Sequence, residues 1–530
     1  MDLRDSMSRT IAYALDFVID TLDFSPDEAL LPENETELRL QPTADPVHKE
    51  LFMILVWNDE KHSFEEVLDL IIDATSCSRD AAMAMTNRIE DHGRAVVLTY
   101  RDTEKLLEVA HLIANIDMGV TVRRAYDTFR EEMAALIIEW LLDLMRCHVV
   151  GDPLLLRELV AAELLQPRRK DPSGFALVPE AAKLASEMPN LTRVDWLFMY
   201  HTRLWKQPRL HLKQMYAAIL AIGHSHKLAL ADHFAGVYHR LIDSYLLTDR
   251  EAETSIKFFA LQVFTVPSIA AHCVRQHAIV QRILNMIASF FTNQISNKRI
   301  DYPPDMARDV DVDSMPFKSK RFMPIFSDLR YICTSEPVQK LLVSNAQFIQ
   351  QFGRVCQMFV GINASKRAVT NHVEYETDAW ISVFNVTLSL SRVVKVFGEA
   401  YSHATTKDLL GAIFSVIHQT LMVCSMMDSR LDKDRYEPIK FHAVEFGGNS
   451  YKIIDFSVLS GWVSFHHALH WLLAELFRHA DLLTHDKLAA VDATTMRDVI
   501  IRQVDEKSYL TVIDFPLRGK TFSLSFPSPN

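Results

Sequence analysis

Residues 51–71, LFMILVWNDEKHSFEEVLDLI, hold the pattern from which the rest of the chain is read. Leu51 to Trp57 is an unbroken apolar run with the length of a buried strand, and Asn58-Asp59 ends it. Ser63-Phe64-Glu65-Glu66 then forms an S-x-x-E capping box, in which each end satisfies a backbone donor of a first helical turn. Phe64, Val67, Leu68 and Ile71 follow at i, i+3, i+4 and i+7, one face of a helix. A second helix starts near Ser78, carries Ala82, Met85, Thr86 and Ile89 at the same spacing, and stops at Gly93. Arg94 to Tyr100 reads as a strand. Leu106, Val109, Ala110 and Ile113 mark a third helix, and Val120 to Arg123 a closing strand. The order β-α-α-β-α-β over residues 47–125 predicts an α+β module, a three-stranded sheet with three helices packed on it.

Outward from this module the pattern changes. Residues 8–23 form an amphipathic helix, and 24–46 are acidic and broken by Pro26, Pro32, Pro42 and Pro46, so 1–46 reads as a helix and a linker. Beyond 125 the period is helical almost throughout. Thr128 to Glu131 reads as a second capping box. The expected divisions are a helical domain at 126–300, a proline- and aspartate-rich linker at 301–325, a helical domain at 326–518 and an irregular tail at 519–530. Phe441 to Phe456, with Gly447-Gly448 and β-branched residues, suggests a hairpin or loop. No fixed repeat length emerges, which leaves a loose helical stack as the expected body.

Composition narrows the function classes. The chain has 530 residues, 49% hydrophobic and 23% charged, with 14 glycines, fewer than the usual share of about 7% and so few tight turns. A net charge of -12 argues against a nucleic-acid surface. The basic runs Arg168-Arg169-Lys170 and Lys318 to Arg321 read as solvated loops. Cys77, Cys147, Cys273, Cys333, Cys356 and Cys424 make no C-x-x-C pair, so no zinc ribbon or RING can be built from them. Sparse cysteines fit reduced thiols in the cytosol or nucleus. The first residues lack a signal-peptide core, and no segment reads as a membrane span.

Two metal-like patterns are discounted. His466 and His470 share a helical face, but His467 stands where a glutamate base would be needed, and no third ligand is evident. Asp309, Asp311 and Asp313 lack the glycine turn and terminal glutamate of a calcium loop. No phosphate-cradling glycine loop and no G-x-S-x-G elbow occurs.

The chemistry concentrates at the strand end. Asn58, Asp59 and Glu90 can converge as acceptors at one rim of the two-helix surface, with His62 in the connecting loop. Phe64, Val67, Thr86 and Ile89 can line a cavity between the helices. Acceptors beside an apolar cleft suit a primary ammonium next to a hydrophobic side chain. From spacing alone an ordinary strand-end turn above an ordinary core is the favoured reading.

The two elements FMILVWNDEKHSFEEVLDLI and AAMAMTNRIEDHGRAVVL resemble the ClpS adaptor fold, in the version carried by eukaryotic N-recognin ubiquitin ligases of the N-degron pathway. TIAYALDFVIDTLDFSPDE resembles the segment that follows the zinc-binding UBR box in those ligases, and WVSFHHALHWLLAEL a segment of their helical body. The resemblance implies a ClpS-like module followed by a mainly α-helical body. It implies that Asn58, Asp59, His62 and Glu90 bind the α-amine of a substrate protein, and that Phe64, Val67, Thr86 and Ile89 hold its bulky first side chain (a type 2 N-degron). Glu90 stands where the bacterial adaptors have histidine, and Phe64 where they commonly have methionine. The partners implied are N-terminal segments of substrates. A ubiquitin-conjugating enzyme is implied for the full-length family only, and no nucleic acid or membrane. No cofactor is expected in this chain, since the family's zinc lies in a UBR box and a RING that these cysteines cannot form. The chain is therefore expected to be a fragment or truncated product that binds substrate but does not transfer ubiquitin by itself. The alternative is a helical scaffold whose module has no ligand.

Overall fold

The computed structural model describes residues 3–26, 51–169, 179–292 and 310–343, with shorter pieces elsewhere. The chain divides into two compact units, Met1–Phe259 and Ala260–Asn530.

In the first unit, helix α1 (Leu3–Asp23) precedes the module β1 (Phe52–Trp57), α2 (Phe64–Thr75), α3 (Arg79–His92), β2 (Arg94–Tyr100), α4 (Thr103–Ala114) and β3 (Gly119–Arg124). The three strands form one antiparallel sheet in the order β2-β1-β3. Phe52, Ile54 and Val56 point into a core closed by Val67, Leu68 and Ile71 of α2, Ala82 and Ile89 of α3, and Leu106, Ala110 and Ile113 of α4. The opposite face is covered too. Leu55 is fully buried, and Trp57 meets Trp205 edge-on with ring centroids 6.4 Å apart. Cover on both faces is why β1 is a continuous apolar run and does not alternate.

Local signals behave as read. Ser63 accepts from the Glu66 N–H while the Glu66 side chain returns to the Ser63 N–H. Gly93 ends α3 in the left-handed region at φ 99°. Thr128 to Glu131, by contrast, is no helix start. Helix α5 (Ala125–Arg146) begins upstream, Thr128 back-bonds to the Arg124 carbonyl, and Glu131 is buried between two arginines.

Helices α6 (Leu155–Leu164), α7 (Pro179–Glu187), α8 (Arg193–Met199), α9 (Lys206–Leu220) and α10 (His224–Leu247) complete the unit. Helix α1 packs on α5, α6 and α8. Buried ion pairs fix it there: Arg193 Nε donates to Asp16 at 2.7 Å, and Arg168 joins Asp20 and Asp23 beneath the Trp196 ring. Arg168 is thus not the solvated loop residue the sequence suggested. Its charge is met by acids 145 and 148 positions away, which no local pattern encodes.

In the second unit the helices include Pro267–His277, Ile279–Phe290 and Phe322–Cys333. The expected linker at 301–325 is not the division between units, and helix Met315–Lys318 lies inside it. Asp311 accepts from the Asp313 N–H, an ordinary aspartate turn. Lys440–Phe446 and Asn449–Asp455 pair as a hairpin. The expected tail is also a strand: Lys520–Pro529 pairs with Ser508–Leu517, which pairs with Val499–Gln503. The alternation of Phe522, Leu524 and Phe526 with small polar residues is the period-two signal for it. His466, His467 and His470, the segment 462–476, Asp309, Lys170, Cys356 and Cys424 lie outside the described residues. Cys77, Cys147, Cys273 and Cys333 are free thiols.

Gly93 has two reasons to be glycine. A Cβ there would sit 2.5 Å from the Lys206 backbone nitrogen, on a backbone conformation that L side chains avoid. Gly93→Ala is expected to destabilise the protein by about 2 kcal/mol or more, read as a drop in the chemical-denaturation midpoint.

Candidate functional site

The loop closing β1 is held from three directions. The Asn58 N–H donates to the Gly93 carbonyl at 2.9 Å, which ties the strand end to the C-terminus of α3, three residues beyond Glu90. Asp59 accepts the Lys61 and His62 N–H groups on Oδ1, both at 3.0 Å, and faces His62 Nδ1 through Oδ2 at 2.9 Å. Its carboxylate is only 5% exposed. His62 Nε2 faces the Ile116 carbonyl at 2.9 Å. A carbonyl can only accept, and so can a carboxylate. Lys61 reaches Asp117 at 2.6 Å, and that hydrogen bond holds the Asp117 carboxyl below its ordinary range.

Asn58 looks the other way. Its Nδ2 donates to Glu251 Oε1 at 2.9 Å, from the turn after α10. Glu60 accepts the Glu253 N–H at 2.9 Å, Lys206 Nζ donates to the Glu90 carbonyl at 2.6 Å, and His92 meets Gln207 at 2.6 Å. Both edges of the candidate amine site, 58–62 and 90–93, are therefore braced by residues 206–253. A cleft beside them is lined by Trp57, Asn58 and Gly93 of the module and by Trp205, Arg209 and Glu251 of the body, and Asp59, His62 and Glu90 are not among its walls. Burial pushes the Glu251 carboxyl above its ordinary range, against the opposing influence of Arg209, the Asn58 amide and Lys206.

The candidate side-chain residues belong to the core that α2 and α3 share. Val67, Thr86 and Ile89 are buried, Thr86 Oγ1 donates to the Ala82 carbonyl at 3.0 Å, and Phe64 packs half-buried against the same core. Asn58, Asp59 and His62 share one loop. Glu90 follows Ile89 on α3 and is exposed.

The sequence did not reveal Glu251 as a neighbour of Asn58, nor the role of Arg94. The Arg94 guanidinium lies 3.3 Å over the Trp205 ring and 5.1 Å from that of Trp57. It donates to Glu131 at 2.6 Å and Glu132 at 2.9 Å. Arg123 Nη1 donates to Glu131 from the other side at 2.6 Å, and Ser25 Oγ at 2.7 Å. The glycine–arginine step at 93–94 is thus a structural joint.

A family model described as UBR1/2/3-like ARM repeat domain matches residues 166–525, and one described as the ATP-dependent Clp protease adaptor protein ClpS matches 47–116. The chain belongs to the UBR1/2/3-like ARM repeat family. The ClpS match covers nearly all of the α+β module, whose three-stranded antiparallel sheet and helices are followed by a mostly helical body. Relatives include the E3 ubiquitin-protein ligase ubr1 of Schizosaccharomyces pombe, 27% identical over 89% of this chain and 27% of its own length. The E3 ubiquitin-protein ligase UBR2 of Homo sapiens is 22% identical over 83% and 24%, and UBR1 of Mus musculus 22% over 91% and 25%. The chain spans about a quarter of the length of these relatives.

Burial pushes the Glu131 carboxyl up, but Arg123 and Arg94, with the hydrogen bonds from Arg94 and Ser25, outweigh it and hold the group below its ordinary range. A carboxyl so depressed stabilises the fold above its unfolded pKa, near 4.3, and that stability is lost as pH falls through the folded value. Glu131→Gln is expected to cost about 3 kcal/mol at neutral pH and to flatten the acid limb of the stability–pH profile, measured by urea denaturation across pH.

Proposed function

We propose that this chain is the substrate-recognition portion of an N-recognin-type E3 ubiquitin ligase. Its ClpS-like module takes the free α-amine and bulky hydrophobic first residue of proteins marked for ubiquitination and proteasomal degradation. Ubiquitin transfer and the ubiquitin-conjugating enzyme belong, on this reading, to a longer protein of the relatives' kind. The recognition uses no cofactor, and the free thiols fit the cytosol or nucleus.

One observation carries the reading: the strand end places two acceptors in succession, the Asn58 amide oxygen and the Asp59 carboxylate. With one Nδ2 hydrogen given to Glu251, the Asn58 amide has its Oδ1 for a ligand donor. Asp59, with its Oδ1 engaged twice and its Oδ2 once, keeps one lone-pair direction of Oδ2 for a donor. An ammonium brings three donors and a charge, so it fits where a neutral acetamide does not. Glu251 supplies further negative charge from the body and fixes the orientation of the Asn58 amide. Each hydrogen bond to the charged amine contributes about 1.5–3 kcal/mol, and burying a Leu- or Phe-sized side chain about as much. After association costs, micromolar affinity, about -8 kcal/mol, is within reach.

The covered slot supports a second reading, a scaffold whose module has no ligand. If the first reading holds, a ligand side chain must displace Phe64, which stands at the first turn of α2 and is the least buried of the four.

A labelled peptide starting with Phe, Leu, Trp, Tyr or Ile is expected to bind in fluorescence polarisation, while its N-acetylated twin does not. Equal affinity for the two peptides, or none for either, favours the scaffold. Asp59→Asn is expected to weaken the free-amine peptide by about tenfold to a hundredfold. Glu251→Gln is expected to weaken it by about tenfold, because a glutamine can donate as well as accept and so releases the Asn58 amide from one orientation. Binding by either variant at the wild-type level would displace the amine site from this loop.

A further inference from the structure

Helix α5 is apolar on two sides. Its inner face buries Ala134, Ile138, Leu141, Leu142 and Met145, against α1, α6 and α9. On the outer face, every exposed position from Ala125 to Leu142 is a large apolar residue. Tyr126 is 53% exposed, Phe129 63%, Met133 36%, Leu136 57% and Trp140 42%. At about 200 Å² per side chain these fractions leave on the order of 500 Å² of apolar surface open to water, near the upper end for a whole monomer. A helix that is hydrophobic all round belongs inside a structure.

The spacing of the five residues, i, i+3, i+7, i+10 and i+14, is that of the a and d positions of a heptad repeat. Such a stripe fits the stripe of another helix crossing at about 20°. The edges of the stripe differ in charge. Glu132 and Glu139 line one, while Arg130 and Ile137 line the other. Arg130 is turned toward the Phe17 ring, 5.4 Å from its centroid, and Glu132 is shared with Arg94. Glu139 remains as the acidic group beside the stripe, and Asp143, the next position along it, is exposed and pairs with Arg146 at 3.0 Å.

We propose that this face docks an amphipathic helix of a partner protein, with Leu-, Met- or Phe-type residues at heptad spacing and lysine or arginine along the edge that meets Glu139. A second copy of this chain fits less well. An antiparallel pair centred on Met133 would bring the two Glu132 side chains to one edge, and a parallel pair would set Glu132 beside Ile137 with no opposite charge. An anionic membrane surface is disfavoured by the same acids, since basic flanks are what such surfaces attract.

The test uses the full chain and two labelled synthetic helices of three heptads with leucine at a and d, one flanked by lysine and one by glutamate. In fluorescence polarisation the lysine-flanked helix is expected to bind with Kd on the order of 10 µM, and the glutamate-flanked helix about tenfold more weakly. Phe129→Asp with Leu136→Asp is expected to abolish binding of both while thermal unfolding and the affinity for a Phe-starting peptide stay unchanged. Glu139→Lys is expected to reverse the preference between the two helices. Equal binding of both, binding of neither, or a preference that survives Glu139→Lys would overturn the proposal. So would a concentration-dependent dimer, or capture by phosphatidylserine vesicles, that Phe129→Asp removes.

Discussion

The joint at Arg94 is what the first unit is built around. A guanidinium removed from water must have its donors answered and its charge matched, or it costs several kcal/mol. Here the guanidinium lies over the Trp205 ring with the Trp57 ring to one side, Glu131 and Glu132 take its two terminal nitrogens, and Arg123 and Ser25 complete the shell around Glu131. The rings come from β1 and from the residue before α9, the acids from α5, and the serine from the end of α1. With Arg123 from β3, five segments of chain thus meet around Arg94 and its acids. A planar fork that stacks and bonds at once is a task for arginine, and lysine would not substitute.

That joint sets the geometry of the neighbouring loop. Trp57 is the last residue of β1 and Asn58 is the next, so fixing the indole fixes where the amide stands. Glycine at 93 lets Lys206 approach the end of α3 closely, and the Lys206 ammonium then bonds the Glu90 carbonyl. Glu251 closes on Asn58 from the turn after α10. The strand-end loop of a small adaptor module has in this way become a surface shared between module and body. An amine bound there would meet charge from both.

The same unit leaves one face unfinished. Helix α5 carries the acid of the Arg94 joint on its inner side and a stripe of large apolar residues on its outer side. Nothing in the joint requires that stripe. A solvated helix gains from charge on its outer face, and α5 places its charges at the margins instead.

The chain's local patterns were enough to draw the module. The apolar run at 51–57, the Ser63–Glu66 box, the Gly93 stop and the helical spacing of 64–71 and 82–89 all act over one or two turns, within reach of propensity and periodicity. Asn58-Asp59 likewise marked the end of the first strand. Partners distant in sequence were beyond such reading. Glu251 lies 193 positions from Asn58, and the residues around it carry no periodic signal. The Thr128–Glu131 box was a false local match, because Glu131 is claimed by arginines of two strands whose approach only the folded sheet creates. Arg168 is met by acids of a helix near the start of the chain in the same fashion. Local hydrogen bonding and side-chain period decided which segments became strands and helices. Long-range charge compensation in a dry interior decided how they were joined, and whether Val67, Thr86 and Ile89 stood open or covered was settled by the packing of α2 on α3.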